Sequence, residues 1–205
     1  MSAKPAQPVV LRNGAVFEQP VQIVLSFVET WRIEAGDRSR PARFEEADLR
    51  VANRAGARIS AAEIAAVLQR RRSIERALRA IAPDASLAAS GSAIPWLVLG
   101  QLFDAFANIR GVGISKVTKA LHPKRPALIP MLDSVVQSYL KDDDFGALVP
   151  FGERALRLVR GYKRDLDRNR LAIRAVRREL ALRGHDLTEV RILDLLIWAD
   201  QVAPP

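Results

Sequence analysis

Cysteine is absent from this chain of 205 residues, and no apolar run reaches the length of a membrane span. Without cysteine there are no disulfide bonds and no cysteine-ligated zinc or iron–sulfur clusters. A transmembrane helix needs roughly 18–20 apolar residues, so we expect no membrane partner. The first residues, Met1 to Pro5, lack the apolar core and cleavage pattern of a secretion signal. We therefore expect a cytoplasmic protein, nucleoid-associated if its partner is DNA, with no cofactor and no metal ion.

Basic residues outnumber acidic ones, with 32 Lys and Arg against 23 Asp and Glu and a net charge of +9. A basic balance favours an anionic polymer as partner, but arginine-rich solvated helix faces would explain the same numbers. Hydrophobic residues make up 49% of the chain, which is enough for one well-buried core.

The stretch that organises the rest is a glycine-rich turn between two apolar helical patterns. Apolar residues recur at three- and four-residue steps from Trp96 to Ile109, and again from Val117 to Leu121. Glycine adopts positive φ without penalty, so we expect a tight turn with a positive φ at Gly113. Unpaired N–H groups at the start of the second helix, together with the helix dipole, would then favour a phosphate. The residues expected to contact DNA are Arg110, Gly111, Val112, Gly113, Ser115, Lys116, Lys119, Lys124 and Arg125.

This pattern resembles the helix-hairpin-helix superfamily of base-excision DNA glycosylases. The run Ile109 to Gly113, then Pro130, then Asp133 follows the superfamily's order of hairpin, Gly/Pro-rich loop and catalytic aspartate, and the interval from Gly113 to Asp133 fits its spacing. The resemblance covers about Trp96 to Tyr139. It implies a monomer that binds double-stranded DNA, flips a damaged or modified base and hydrolyses its N-glycosidic bond. Small bacterial members attack modified bases in phage DNA, so repair and anti-phage defence both stay open.

Asp133 is the candidate catalytic residue. Cleavage of an N-glycosidic bond passes through an oxocarbenium-like sugar, which a carboxylate stabilises directly or by activating water. An aspartate before an apolar helical run is also an ordinary helix N-cap. The two roles are compatible, because hydrogen bonds from the start of a helix favour the ionised carboxylate that catalysis needs.

Ser115 occupies the position at which bifunctional members of the superfamily carry a Schiff-base lysine. Serine cannot form that imine, so the resemblance implies a monofunctional, water-using enzyme or a protein without chemistry. Lys116 is rotated by about 100° around the helix axis and is expected to face phosphate. His122, just before Pro123, is open to proton transfer, helix capping or phosphate contact.

A flipped base also needs an aromatic wall. Aromatic residues at helical spacing are more often part of the core, and the chain offers four candidates for the wall. They are Trp31, Phe44, Tyr139 and Phe151.

The fold is expected to be mainly α, a glycosylase-like helical domain opened by a short β-hairpin. Asn13-Gly14 between two apolar runs predicts a hairpin with a two-residue turn. We expect one compact unit with an N-terminal lobe (1–82), a helix-hairpin-helix core (94–140) and basic C-terminal helices (145–205). Helices are predicted over 21–35, 44–54, 60–81 and 151–183, the last with one break, suggested by Gly161 and Asn169, and from Thr188 onward.

Three functions remain open at this point. The first is a monofunctional DNA glycosylase with Asp133 as catalytic carboxylate. The second is a non-catalytic helix-hairpin-helix module that binds DNA, in which Asp133 is only a helix cap. The third is a globular interaction protein with no nucleic-acid partner.

Overall fold

A two-stranded β-hairpin opens the part of the chain that the computed structural model describes, which is residues 7–30 and 40–202. Strands β1 (Val9–Val10) and β2 (Val16–Phe17) are antiparallel, and Val9 pairs with Phe17. The predicted hairpin is confirmed, but its turn is longer than predicted. The amide of Gly14 donates to the carbonyl of Leu11 over 3.0 Å, and Gly14 has a φ of +91°. The turn therefore centres on Arg12 and Asn13, and Gly14 takes the left-handed position that follows them.

Ten α-helices follow in the described residues, so the mainly helical class is confirmed. They are α1 (Pro20–Thr30), α2 (Glu46–Arg54), α3 (Ala61–Gln69), α4 (Arg71–Arg79), α5 (Trp96–Asp104), α6 (Ile114–Leu121), α7 (Ser134–Tyr139), α8 (Phe151–Arg168), α9 (Arg170–Leu182) and α10 (Glu189–Gln201). None of these helices is long and apolar enough to cross a membrane.

Local capping explains several of the helix boundaries. Ser60 and Glu63 form the predicted capping box, in which the amide of Ser60 donates to Glu63 Oε2 over 2.8 Å and the amide of Glu63 donates to Ser60 Oγ over 3.3 Å. Thr188 caps α10 in a similar way, because its hydroxyl accepts from the amide of Arg191. The predicted break at Asn169 is also confirmed, since α8 ends at Arg168 and α9 begins at Arg170.

Other helix boundaries differ from those that the apolar periodicity predicts. The helix predicted over 60–81 is divided in two at Arg70, and the helix predicted from residue 44 begins at Glu46. Gly161 lies inside α8 and breaks nothing; a β-carbon there would clash with the carboxylate of Asp143, so the glycine serves a close approach. The end predicted for the first helix falls in residues 31–39, outside the described residues.

The helices enclose one cluster of buried apolar residues. Helix α5 packs along α8, α2 packs against α6, and α10 contacts α1, α7, α8 and α9. Arg12 fastens the hairpin to this body, because its guanidinium donates to Asp143, Asp165 and the carbonyl of Gly161 over 2.6–2.7 Å. This packing brings the start of α7, the end of α2 and one face of α10 together.

Candidate functional site

Asp133 is the N-cap of α7, as the sequence predicts. Its Oδ1 accepts from the amides of Val135 and Val136, each over 3.1 Å, and its Oδ2 accepts from the indole N–H of Trp198 over 3.0 Å. The residue is only 7% exposed. Three hydrogen bonds therefore fix both carboxylate oxygens in one orientation.

The Asp133 carboxylate lines a cavity of about 570 Å³. This volume lies within the range of about 300–1,000 Å³ that is typical of small-ligand sites. The walls come from α1, the end of α2, α6, the loop before α7, and α10. Its apolar surface includes Phe27, Val51, Leu195 and Trp198, and its charged or titratable residues are Arg54, Lys119, His122, Asp133, Arg191 and Asp194.

An open groove of about 910 Å³ adjoins this cavity. The groove and the cavity share four residues, Gly56, Lys119, Asp133 and Trp198. From there the groove continues along a polar surface that includes Arg58, Ser115, Ser134, Gln137 and Lys141. Asp133 thus lies where a partly open, partly apolar cavity meets a groove that carries basic side chains.

Four residues of α10 line the cavity from one helix face: Arg191, Asp194, Leu195 and Trp198. Their spacing of three, four and seven residues brings them to the same side of the helix. Asp194 is fully buried, and burial raises its pKa to about 7, against the opposing effects of the Arg191 guanidinium and the Tyr162 hydroxyl. Burial also lowers the pKa of Arg191. Sequence reasoning missed this pair, although two charges on the inward face of an apolar helix were a usable signal.

The turn between α5 and α6 differs from the predicted geometry. The amide of Val112 donates to the carbonyl of Ile109 over 3.0 Å, and Gly111 has a φ of +80°. This is the geometry in which glycine is required at the third position of a turn. Gly113 is instead the extended N-cap of α6, with a φ of −92°, so the prediction of a positive φ at Gly113 is wrong. The chain therefore reverses its direction at Gly111, two residues before Gly113.

The start of α6 carries no side-chain cap in the described structure. Gly113 has no side chain to offer, and the amides of the first helical turn have no acceptor within the helix. Gly113 and the preceding Arg110 are both exposed. The contact of this helix start with a phosphate stays a prediction.

Lys116 points away from the groove. Its ammonium donates to both carboxylate oxygens of Glu63 over 2.7 and 2.8 Å, which ties α6 to α3 and lowers the pKa of Glu63. The expected phosphate contact of Lys116 is therefore replaced by an internal ion pair. Lys119 does reach the groove, where it is half-buried and donates to the carbonyl of Ala55 over 2.9 Å.

Lys124 and Arg125 are interior residues, which corrects their predicted role as phosphate contacts. Lys124 is 6% exposed and pairs with Asp48 over 2.8 Å. Arg125 is 1% exposed, and its guanidinium donates to the carbonyls of four residues. These are Pro41, Leu78, Ile81 and Lys124. Neither cation is accessible to a DNA backbone.

The predicted aromatic wall is also corrected. Phe44 is fully buried and packs edge-to-face on Phe106, and Phe151 packs against the core. Tyr139 is buried on another side, where its hydroxyl donates to Asp165 over 3.1 Å and its pKa is raised to about 12, mainly by burial. None of these three side chains lines the cavity beside Asp133. Trp31 lies outside the described residues.

The aromatic residues that do line the cavity are Trp198 and Phe27. Trp198 follows the apolar spacing of α10, so the helical period alone indicates a core residue there. His122 lines the same cavity, and its Nδ1 lies 2.6 Å from the carbonyl oxygen of Ile129.

The acidic turn after α7 is neutralised by arginines. Asp143 pairs with Arg12 and Arg164, and Asp144 pairs with Arg154. Among the described residues no group of three or more histidine and acidic side chains is arranged to hold a metal ion.

Comparison with known proteins gives one match. Residues 18–201 match a family described as "Family of unknown function (DUF6308)". No curated protein and no solved structure matches the chain.

Proposed function

Since the chain belongs to this family of unknown function, we propose its activity from the geometry of the site: a monofunctional DNA glycosylase that hydrolyses the N-glycosidic bond of a flipped nucleotide. The observation that carries the proposal is the placement of Asp133. Its carboxylate is held by three hydrogen bonds at the junction of a partly open cavity and a groove with basic side chains.

The cavity and the groove suit two parts of one substrate. A space of about 570 Å³ with an indole and a phenyl ring in its wall accommodates a base that has left the stack. The groove, with Arg58, Lys119 and Lys141 along it, suits the phosphates on either side of that nucleotide. The sugar would then lie at the junction, beside Asp133.

The chemistry follows from this placement. The bond between C1′ of the sugar and the base nitrogen breaks, and the electron pair leaves with the base. Asp133 stabilises the positive charge on the sugar and accepts a proton from the water that adds to C1′. The products are a free base, which takes up a proton, and an abasic site. Ser115 lines the groove where a lysine would be needed for an imine, so water is the nucleophile.

The start of α6, which has no side-chain cap at Gly113, and the exposed Arg110 would supply a second contact with the DNA backbone. A site at a helix start and a groove beside Asp133 would together hold a duplex on both sides of the flipped nucleotide. This contact carries no sequence information, because it reads phosphates and not base edges.

The test is base excision with a matched pair of variants. Duplexes that contain uracil, alkylated purines, oxidised purines or modified cytosines are incubated with the protein and treated with alkali, which cleaves at abasic sites. We expect strand cleavage on at least one duplex with wild type and with Asp142→Asn, an exposed acid in the turn after α7. Asp133→Asn is expected to lose the product and to keep DNA binding. Unchanged cleavage by Asp133→Asn contradicts the assigned role.

One observation favours a second candidate, a DNA-binding module without catalysis. All three hydrogen bonds of Asp133 are to the protein itself, two of them as a helix cap, and this is a sufficient structural reason for the residue. Tight, salt-dependent binding with no abasic product on any duplex in the panel would establish this alternative.

A further inference from the structure

Arg191 is a buried cation whose guanidinium makes no hydrogen bond within the described part of the chain. The residue is 8% exposed, and its Nε has no partner. Its closest carboxylate is Asp194, where Nη1 lies 4.0 Å from Oδ2. Charge-assisted hydrogen bonds measure about 2.7–2.9 Å, so this contact is an ion pair without a hydrogen bond. Buried polar groups with unmet hydrogen bonds are rare in folded proteins.

The cavity supplies the space for a partner. Arg191 and Asp194 both line it, on the same face of α10 as Trp198. Asp194 is likewise buried with unmet hydrogen bonds, since it is 1% exposed and its Oδ1 has no partner. Its Oδ2 accepts a weak hydrogen bond from the amide of Met131 over 3.4 Å. Two buried, under-satisfied polar groups that lie 4.0 Å apart and line one cavity indicate a polar ligand beside them.

The charges of the cavity restrict this ligand. Arg54 and Lys119 also line the cavity, but the charged side chains that act on the Arg191 guanidinium are those of Asp194 and Asp133, so an anion beside Arg191 would approach two carboxyl groups for one guanidinium. An uncharged ligand with hydrogen-bond acceptors avoids that repulsion. The guanidinium is a planar fork with parallel N–H groups, and it pairs best with two acceptors side by side.

Among nucleobases, the 6-oxopurine edge has this arrangement, with O6 and N7 as adjacent acceptors. Adenine would turn its amino donor toward the guanidinium at the same edge. Cytosine does so with its N4 amino group, but it also has two adjacent acceptors, O2 and N3, on its Watson–Crick edge, so the test includes 2′-deoxycytidine. We propose that the cavity selects a 6-oxopurine, with Arg191 donating to O6 and N7 and Asp194 holding the guanidinium in place. The inference rests on the proposed function for the origin of this base in DNA, but it is a statement about binding and can be tested without catalysis.

The first test uses wild-type protein and free nucleosides, measured by calorimetry. The series is 2′-deoxyguanosine, its 7-deaza analogue, which lacks the N7 acceptor, 2′-deoxyadenosine and 2′-deoxycytidine. A well-placed bidentate pair discriminates by about ten-fold or more, so we expect 2′-deoxyguanosine to bind at least about ten-fold more tightly than the other three. Equal affinities across the series, tighter binding of 2′-deoxycytidine, or no binding of any of the four, overturn the proposal.

The second test uses variants of the same series. Arg191→Lys keeps the charge and removes the fork, so we expect the preference for 2′-deoxyguanosine to fall to about two-fold or less. The matched control is Arg178→Lys on the exposed face of α9, which should keep the wild-type preference. Thermal unfolding of both variants checks that they fold. If Arg191→Lys does not fold, the wild-type series alone still decides.

A competition arm separates this ligand from a simple anion. Inorganic phosphate, added at the same concentration as the nucleoside, should not displace 2′-deoxyguanosine. Displacement by phosphate would show an anion site at Arg191 and would overturn the proposal.

The two proposals fail separately. A 6-oxopurine preference with no excision on any duplex refutes the glycosylase and leaves the specificity assignment intact. Excision that depends on Asp133, together with equal nucleoside affinities, refutes the specificity assignment and leaves the glycosylase intact.

Discussion

The indole of Trp198 donates its N–H to Oδ2 of Asp133 over 3.0 Å, and 65 residues separate the two in the sequence. This hydrogen bond joins α10 to the start of α7. It also completes the set of donors around the carboxylate, because Oδ1 is occupied by two amides of α7. The orientation of the proposed catalytic group therefore depends on a helix from the other end of the chain.

Trp198→Phe tests this dependence. The substitution keeps an aromatic ring in the cavity wall and removes the donor to Asp133. Hydrogen bonds to charged groups contribute about 1.5–3 kcal/mol, so we expect base excision to slow by about ten-fold or more. The loss should appear in kcat and much less in KM, because the cavity keeps its shape. Single-turnover kinetics on the preferred duplex provide the measurement.

Trp96→Phe is the matched control. The indole N–H of Trp96 donates to the carbonyl of Gly91 over 3.1 Å, on a helix that does not line the cavity. This variant should excise at the wild-type rate. Equal rates for Trp198→Phe and Trp96→Phe would mean that the indole donor does not assist Asp133.

The two glycines of the turn separate folding from DNA binding. Gly111 has a φ of +80°, and a β-carbon there would clash with the Glu63 carboxylate that holds Lys116. We expect Gly111→Ala to lower the free energy of unfolding by about 1–3 kcal/mol. Gly113 has an ordinary φ, and an added β-carbon would meet nothing within 4 Å. Gly113→Ala should therefore change stability little.

For DNA affinity we expect a marked effect of the substitution at Gly113, the position at which stability should change little. If the amides at Gly113 approach a phosphate, a β-carbon at this position obstructs the contact, and Gly113→Ala weakens duplex binding. Chemical unfolding and duplex affinity are measured on the same preparations. A Gly113→Ala protein that binds duplex as tightly as wild type would remove the turn from the proposed interface.

Charge neutralisation distinguishes surface cations from interior ones. Arg110 is exposed, so Arg110→Ala should flatten the dependence of log K on log salt by about one unit and leave the melting temperature unchanged. Lys124→Met leaves the Asp48 carboxylate buried without its partner, and breaking such a pair is expected to cost about 3–5 kcal/mol of stability. Salt titrations and urea unfolding of both variants are the measurements. A Lys124→Met protein of wild-type stability with a flatter salt dependence would contradict the interior assignment.

How far the sequence predicts this structure depends on whether the determinants are local. Ser60 with Glu63 and Asp133 with the amides of α7 act within three residues, and both caps are where the sequence predicts them. The partner of Lys124 is not local. Asp48 lies on α2, far along the chain, and nothing beside Lys124 distinguishes it from a solvated lysine.

The same reasoning explains the missed part of the site. Arg191 and Asp194 interrupt the apolar face of α10. The helical period of the sequence is enough to show this interruption. Their meaning depends on the cavity beside them, and that cavity forms only when α1, α2 and α6 assemble. The opposite error affects Phe44 and Phe151. As aromatic residues they are candidates for the wall of the base pocket, but tertiary packing places them in or against the core.

The buried carboxyl of Asp194 is expected to make the stability of the fold depend on pH. Burial raises its pKa from the ordinary 3.8 to about 7, against the opposing effects of Arg191 and Tyr162, and the nearby Asp133 raises it further. Between these two pKa values the folded protein holds a proton that the unfolded chain has released. The stability that this proton contributes is therefore fully present below the unfolded pKa, is lost as pH rises toward about 7, and changes no further above it.

Asp194→Asn removes this titration and keeps the size of the side chain. We expect the melting temperature of wild type, relative to Asp194→Asn, to rise as the pH is lowered from about 8 to about 5. Contributions from other groups are common to both proteins and cancel in the difference. The exposed Asp142→Asn should instead follow wild type in parallel over the same range. If the difference between wild type and Asp194→Asn stays constant from about pH 8 to about pH 5, Asp194 is ionised throughout, and the carboxyl beside Arg191 carries a full charge in the cavity.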